Sequence, residues 1–224
     1  MRRRLRENSL TLAFTLLLLV ALVGQAVSGH ALYNESAQDA GLPTLTMVEY
    51  LTSSQFTVDV AENWQSEYLQ FLLYILLTVW LLQKGSPESK PLDKAGRESD
   101  ADQKVGRYAE DTSPRWARVG GWRTALYSRS LGLVMGLVFV GSWSAQLVAG
   151  RSAFNADQLQ DLQDPLGWTA YLGAPDFWNR TLQNWQSEFL AVASMVVFSI
   201  YLRERGSPES KPVGSPHTAT GVEG

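Results

Sequence analysis

The sequence predicts an all-α polytopic membrane protein: four transmembrane helices arranged as two tandem, parallel helical-hairpin repeats. Three observations carry this. Charge is absent from four stretches and crowded into the segments between them. Two unusual motifs recur at one constant spacing. Lys and Arg collect in alternate connecting segments. Averages conceal the pattern, because a net charge of −3, 18% charged residues and a mean hydropathy of −0.10 describe an ordinary soluble domain.

The repeat is the strongest signal. Asn63-Trp64-Gln65-Ser66-Glu67 recurs as Asn184-Trp185-Gln186-Ser187-Glu188, and Gly85-Ser86-Pro87-Glu88-Ser89-Lys90-Pro91 recurs as Gly206-Ser207-Pro208-Glu209-Ser210-Lys211-Pro212. The same shift superposes Gln25 on Gln146, Gly29 on Gly150, Asn34 on Asn155 and Tyr50-Leu51 on Tyr171-Leu172. Roughly a third of the aligned positions are identical, which marks a duplication. The expected organisation is a membrane hairpin over 5–91, a polar cytoplasmic linker over 92–125, a second hairpin over 126–212 and a disordered tail over 213–224.

In each half the first apolar segment, Ser9 to Gly29 or Leu126 to Ala149, is long enough at 1.5 Å per residue to cross about 30 Å of hydrocarbon. The outer loops carry amphipathic pieces, Leu45 to Leu51 and Leu166 to Leu172, which predict a short helix each. A long second helix should begin near Phe56 and near Phe177. Its apolar part, Tyr68 to Leu82 or Phe189 to Leu202, is shorter, but Trp64 before it and Lys84 after it extend it to spanning length. The linker and tail are too polar to bury a core of their own. Trp116 and Trp122, among Arg115, Arg118 and Arg123, suit a bilayer surface.

Orientation follows from the basic residues. Arg2 to Arg6, the linker and the segment holding Arg203, Arg205 and Lys211 are predicted to be cytoplasmic, whereas the loop from His30 to Glu62 has only acidic charge and faces outward. This gives a multi-pass inner (plasma) membrane protein with both termini cytoplasmic. A secretory leader also fits the basic start and its Leu-rich run, but the equivalent segment at Leu126 to Ala149 is internal.

On a helix, Asn63, Glu67, Gln70, Tyr74 and Thr78 form one polar stripe, expected to point into the bundle. Gln25 rises about 28 Å from Arg6 and Glu67 lies about 25 Å from Lys84, so both sit at one depth. The candidate polar cluster is therefore Gln25, Asn63, Trp64 and Glu67 with Gln146, Asn184, Trp185 and Glu188, read as interhelical hydrogen bonds near the outer surface. Gly132 and Gly136 form a small-xxx-small pattern for close packing of the two first helices. The second motif has a local reading, as a left-handed cap at Gly85 followed by a stop, and a sharper one, as a docking element for a membrane or cytoplasmic protein. The candidate docking residues are Ser86, Glu88 and Lys90 with Ser207, Glu209 and Lys211.

The absence of cysteine excludes disulfides and thiolate sites, and His30 and His217 are too far apart in sequence to suggest a zinc set, so no metal and no cofactor are expected. Asn34-Glu-Ser and Asn179-Arg-Thr match glycosylation acceptors by a short, common pattern. No nucleophile–base set or phosphate-binding glycine loop appears, so the chain is not expected to be an enzyme; the lipid bilayer is a partner and nucleic acid is not.

The Asn-Trp-Gln-Ser-Glu start of a membrane helix, with Gly-Ser-Pro-Glu-Ser-Lys at its end, resembles an uncharacterised bacterial family of duplicated membrane proteins, a domain of unknown function. The resemblance spans residues 5–212 and implies a bacterial membrane location, with no activity, cofactor or site residues attached. The expected role is structural or regulatory and non-enzymatic. The alternatives are a small-solute or ion pathway along the pseudo-twofold axis and, more distantly, an outer-leaflet lipid enzyme.

Overall fold

The computed structural model describes residues 2–222. Among them all regular structure is helical: α1 (Arg2–Glu7), α2 (Ser9–Asp39), α3 (Met47–Leu51), α4 (Ser54–Leu77), a short 3-10 turn (Gly106–Tyr108), α5 (Arg115–Arg118), α6 (Gly121–Tyr127), α7 (Ser130–Gln160), α8 (Trp168–Leu172) and α9 (Pro175–Tyr201). Two of these, α2 and α7, are long and apolar enough to cross a membrane.

α2 and α7 each run 31 residues, well past the predicted ends at Gly29 and Ala149. Beyond those glycine and alanine positions no proline interrupts the chain, and polar helix formers carry the helix on. Both then stop in the same way. The Leu42 N–H reaches back to the Ala37 carbonyl (2.7 Å) and that of Gln163 to the Gln158 carbonyl (2.8 Å), closing the six-to-one bond of a Schellman cap. The left-handed residue is Gly41 in one case and Leu162, at φ 59°, in the other.

The second helix differs from expectation at its far end. α4 stops at Leu77, so the apolar run to Leu82 leaves the helix after its first ten residues. The Thr78 hydroxyl bonds back to the Tyr74 carbonyl (2.6 Å), as serines do inside α7 without ending it, and the chain then finds other backbone partners. The Gly96 N–H then takes the Val79 carbonyl (2.7 Å), and the Gln83 N–H donates to Ser89 Oγ (2.9 Å).

By packing the chain forms two compact units, one holding the residues up to Val60 with Ala145–Tyr171, the other Ala61–Ser144 with the chain from Leu172. In the first unit a side-chain amide brackets each loop: Asn34 exchanges hydrogen bonds with both backbone groups of Leu45 (2.9 and 2.8 Å), and Asn155 does the same with Leu166 (3.1 and 2.8 Å). Asn34, a match to a glycosylation acceptor, thus spends its amide on the fold. Tyr50 and Tyr171, 2% and 0% exposed, seat their hydroxyls against Gly29 and Gly150. Thr46 and Glu49 form a capping box on α3, and the hydrogen bonds from Thr46 hold the Glu49 carboxyl below its usual range.

In the second unit Trp143 on α7 is the aromatic hub, with ring centroids of Phe139, Phe177, Trp178 and Trp185 between 5.6 and 6.3 Å away. Gly132 and Gly136 open their faces to α4. Leu76 and Leu72 of α4 lie over them at 3.6 and 3.8 Å from where a Cβ would stand, because a glycine pair makes a groove that fits a leucine ridge. The polar linker is tied down by its Gly96 contact and by the Lys90–Glu98 ion pair (3.1 Å). Residues of the tail, expected to lie free, are held as well, since Thr220 Oγ1 accepts from the Gly85 N–H (2.9 Å) and the Gly221 N–H donates to the Ser86 carbonyl (3.0 Å).

Candidate functional site

Each repeated motif meets its own copy within the second unit. On α4 the Asn-Trp-Gln-Ser-Glu segment turns Gln65 and Ser66 inward, 0% and 1% exposed, while Asn63, Trp64 and Glu67 are exposed. On α9 the same five residues use the other side, with Asn184, Trp185 and Glu188 half-buried and Gln186 and Ser187 exposed. The Trp185 indole N–H donates to Gln65 Oε1 (2.8 Å). Ser66 Oγ reaches both the Asn63 carbonyl (2.9 Å) and the Glu188 carboxylate. One turn nearer the start of α9, Arg180 pairs with Glu62 (3.1 Å) and Asp176 (3.4 Å).

The sequence placed Asn63 and Glu67 on the inward stripe. On α4 those two residues are exposed, and Gln65, whose Oε1 accepts from the Trp185 indole N–H, is the amide that goes in. The lower part of the stripe does turn to the protein, with Gln70, Tyr74 and Thr78 half-buried around a cavity. Gln25 is half-buried on α2 and Gln146 is 1% exposed on α7, both in the first unit. Gln65, Ser66 and Trp143 were the residues that sequence reasoning missed. Gln65 and Ser66 stood inside the repeated motif, but Trp143 has Leu22 at its repeat equivalent and so left no signal of repetition.

The second motif is largely internal in its first copy and mostly exposed in its second, where Ser210 and Lys211 alone are buried. In the first copy Gly85, Ser86, Pro87 and Ser89 are buried, Lys90 is half-buried and Glu88 accepts a hydrogen bond from the Tyr74 hydroxyl. Ser89 and Ser210 do the same job, each hydroxyl taking the backbone N–H six residues earlier at 2.9 Å. Gly85 and Gly206 both hold positive φ, 88° and 84°. In the second copy Glu209 is exposed and Ser207 half-buried, but Lys211 is 1% exposed. Its ammonium donates to the carbonyls of Gly85 (2.6 Å), His217 (3.0 Å) and Ala219 (3.3 Å). Burial, and then the Arg203 guanidinium nearby, push this ammonium below the usual lysine range. Of the six candidate docking residues, Glu209 is the one that presents an exposed side chain.

Fold and site together define an all-helical protein with two helices of membrane-crossing length, whose repeated motifs are knitted to each other by buried hydrogen bonds. The chain belongs to the family described as a domain of unknown function, DUF6766, whose model matches residues 1–222. Neither the comparison with curated proteins nor that with solved structures found a match.

Proposed function

We propose that this is a non-enzymatic bacterial inner-membrane protein of structural or regulatory role, a tandem duplication of one hairpin with four membrane-crossing segments and both termini cytoplasmic. The observation that carries the reading is the Trp185 to Gln65 hydrogen bond, which joins the two copies of the first motif and uses their polarity to hold helices together. Duplication is supported by elements of matched length, 31 residues for α2 and α7 and five for α3 and α8. It is supported too by the paired Asn34 and Asn155 brackets. A bilayer is supported by the apolar side chains that α2 and α7 turn outward, Leu16, Leu17 and Leu137 among them at 61–73% exposure, which water would disfavour. A small-solute or ion pathway is the second reading, favoured by the cavity beside Gln70, Tyr74 and Thr78.

Glu188 separates the two readings. As a structural acceptor beside Ser66, it tolerates Glu188→Gln, which keeps hydrogen-bonding capacity, whereas Glu188→Leu lowers stability by about 1–3 kcal/mol. Thermal unfolding of the purified variants in detergent measures this, alongside a growth phenotype of a deletion strain complemented by each. A Glu188→Gln protein of full stability that fails to complement would overturn the structural reading and favour the pathway.

A further inference from the structure

We infer that the corner formed by α5, α6 and the start of α7 is a binding surface for the headgroups of anionic phospholipids. Two indoles form its centre: Trp116 and Trp122, 41% and 68% exposed, meet edge to face with ring centroids 6.2 Å apart. The Arg123 guanidinium lies over the Trp122 ring at 5.5 Å. The backbone holds this arrangement. Gly120 and Gly121 turn the chain at φ 72° and 64°, in the region that favours glycine, and Thr124 Oγ1 donates to the Trp116 carbonyl (2.6 Å) across the turn.

Charge gives the surface its selectivity. Arg115, Arg118, Arg123 and Arg129 are all exposed, and from Thr112 to Ala156 the sequence has no acidic residue. Arg118 donates to the backbone carbonyl of Asp111 (3.3 Å), and the Glu110 carboxylate pairs with Lys104 (2.8 Å). None of the four guanidinium groups has a carboxylate partner among the described residues. A guanidinium matches two phosphate oxygens with parallel N–H donors, and several of them at a bilayer surface collect lipids of net negative charge, which a zwitterionic headgroup lacks. Position favours a lipid over a free anion or an acidic protein. Arg129 stands two residues before Leu131, about 3 Å of helix rise. There the outward apolar side chains of α7 begin, with Leu131, Val134 and Leu137 at 57%, 55% and 73% exposure. With α7 in a bilayer Arg129 is at headgroup depth, and α6, joined to α7 through Ser128 and Arg129 alone, is tethered beside it. Indoles and guanidinium groups suit that depth, because their apolar bodies leave water while N–H groups and charge stay at the phosphates.

The inference rests on the membrane reading of α7 proposed above, and its test separates the two. The chain has no cysteine, so Val119→Cys in the corner and Leu137→Cys on the outward side of α7 each accept a single NBD fluorophore. Each labelled full chain is placed in phosphatidylcholine nanodiscs that carry a small, equal fraction of spin-labelled phosphatidylcholine or spin-labelled phosphatidylglycerol, the nitroxide sitting on the same acyl carbon near the headgroup. At 119 the glycerol lipid should quench about three-fold more strongly than the choline lipid, and at 137 both should quench. Combining Arg115→Gln, Arg123→Gln and Arg129→Gln should bring the ratio at 119 to about one while quenching at 137 persists, because these exposed side chains hold no other element in place. Equal quenching at 119 by the two lipids, no quenching at 119 beside clear quenching at 137, or a ratio unmoved by the three substitutions would each overturn the proposal. Quenching at neither position would overturn the membrane reading itself. The comparison of lipids with all four arginines in place decides the matter even if the substituted protein unfolds.

Discussion

Gly150 and Tyr171 illustrate how one atom pair can anchor a loop to a helix. A Cβ on Gly150 would stand 2.6 Å from the Tyr171 hydroxyl oxygen and 3.2 Å from Val58, both in a region where Val58 and Tyr171 are fully buried. Alanine improves helix propensity by about 0.5–1 kcal/mol over glycine, but overpacking here costs about 1–3 kcal/mol, so Gly150→Ala should destabilise. Adding Tyr171→Phe removes the oxygen that collides and should recover part of the loss, a coupling visible in a double-mutant cycle followed by thermal unfolding. Additive losses would show that the hydroxyl and the missing Cβ are not partners. Gly29 and Tyr50 repeat the arrangement, and both pairs stood in the sequence as matched positions of the repeat. What the sequence withheld was that the matched glycine and the matched tyrosine touch, because residues about twenty apart give no local sign of contact.

Among the elements, the two long helices end on the same backbone geometry with different residues. Leu162 holds a left-handed conformation that costs an L side chain about 1–2 kcal/mol, and at 96% exposure it recovers little by packing. Leu162→Gly should therefore raise stability by about 1 kcal/mol, and Gly41→Leu at the matching cap should lower it by a similar amount. Thermal unfolding of the two variants checks both, and a Leu162→Gly protein no more stable than its parent would mean that the cap carries no strain. The lengths of these helices were only half legible. Hydropathy located the apolar stretch of each, but helicity continues for as long as the backbone finds partners, and the cap lies about ten residues beyond the last apolar residue of the predicted span. For α4 the error ran the other way, because an apolar run does not remain helical once a loop offers Val79 and Gln83 other hydrogen bonds.

At the scale of the whole molecule, the proposed orientation rests on where lysine and arginine fall relative to the apolar segments. Reporters fused after Gly120 and after Gly224 should read cytoplasmic and one inserted near Gly41 external, as assayed by paired phosphatase and fluorescent-protein fusions. An external reading after Gly224 would overturn the four-span arrangement.

Composition and repetition by themselves determined the helical class, the short loop helices and the approximate starts of α4 and α9, because periodicity, caps and the absence of charge act over a few turns of chain. Within the motifs they determined which residues mattered but not how. Only tertiary structure decided that one five-residue sequence buries Gln65 and Ser66 on α4 yet turns Trp185 and Glu188 inward on α9. It alone decided that the Lys211 ammonium reaches the Gly85 carbonyl of the first copy together with carbonyls of the tail. The physical reason is the same in both cases. A helix can present any side, and the side that is buried is chosen by the partner that satisfies its polar groups, which lies more than a hundred residues away in the chain.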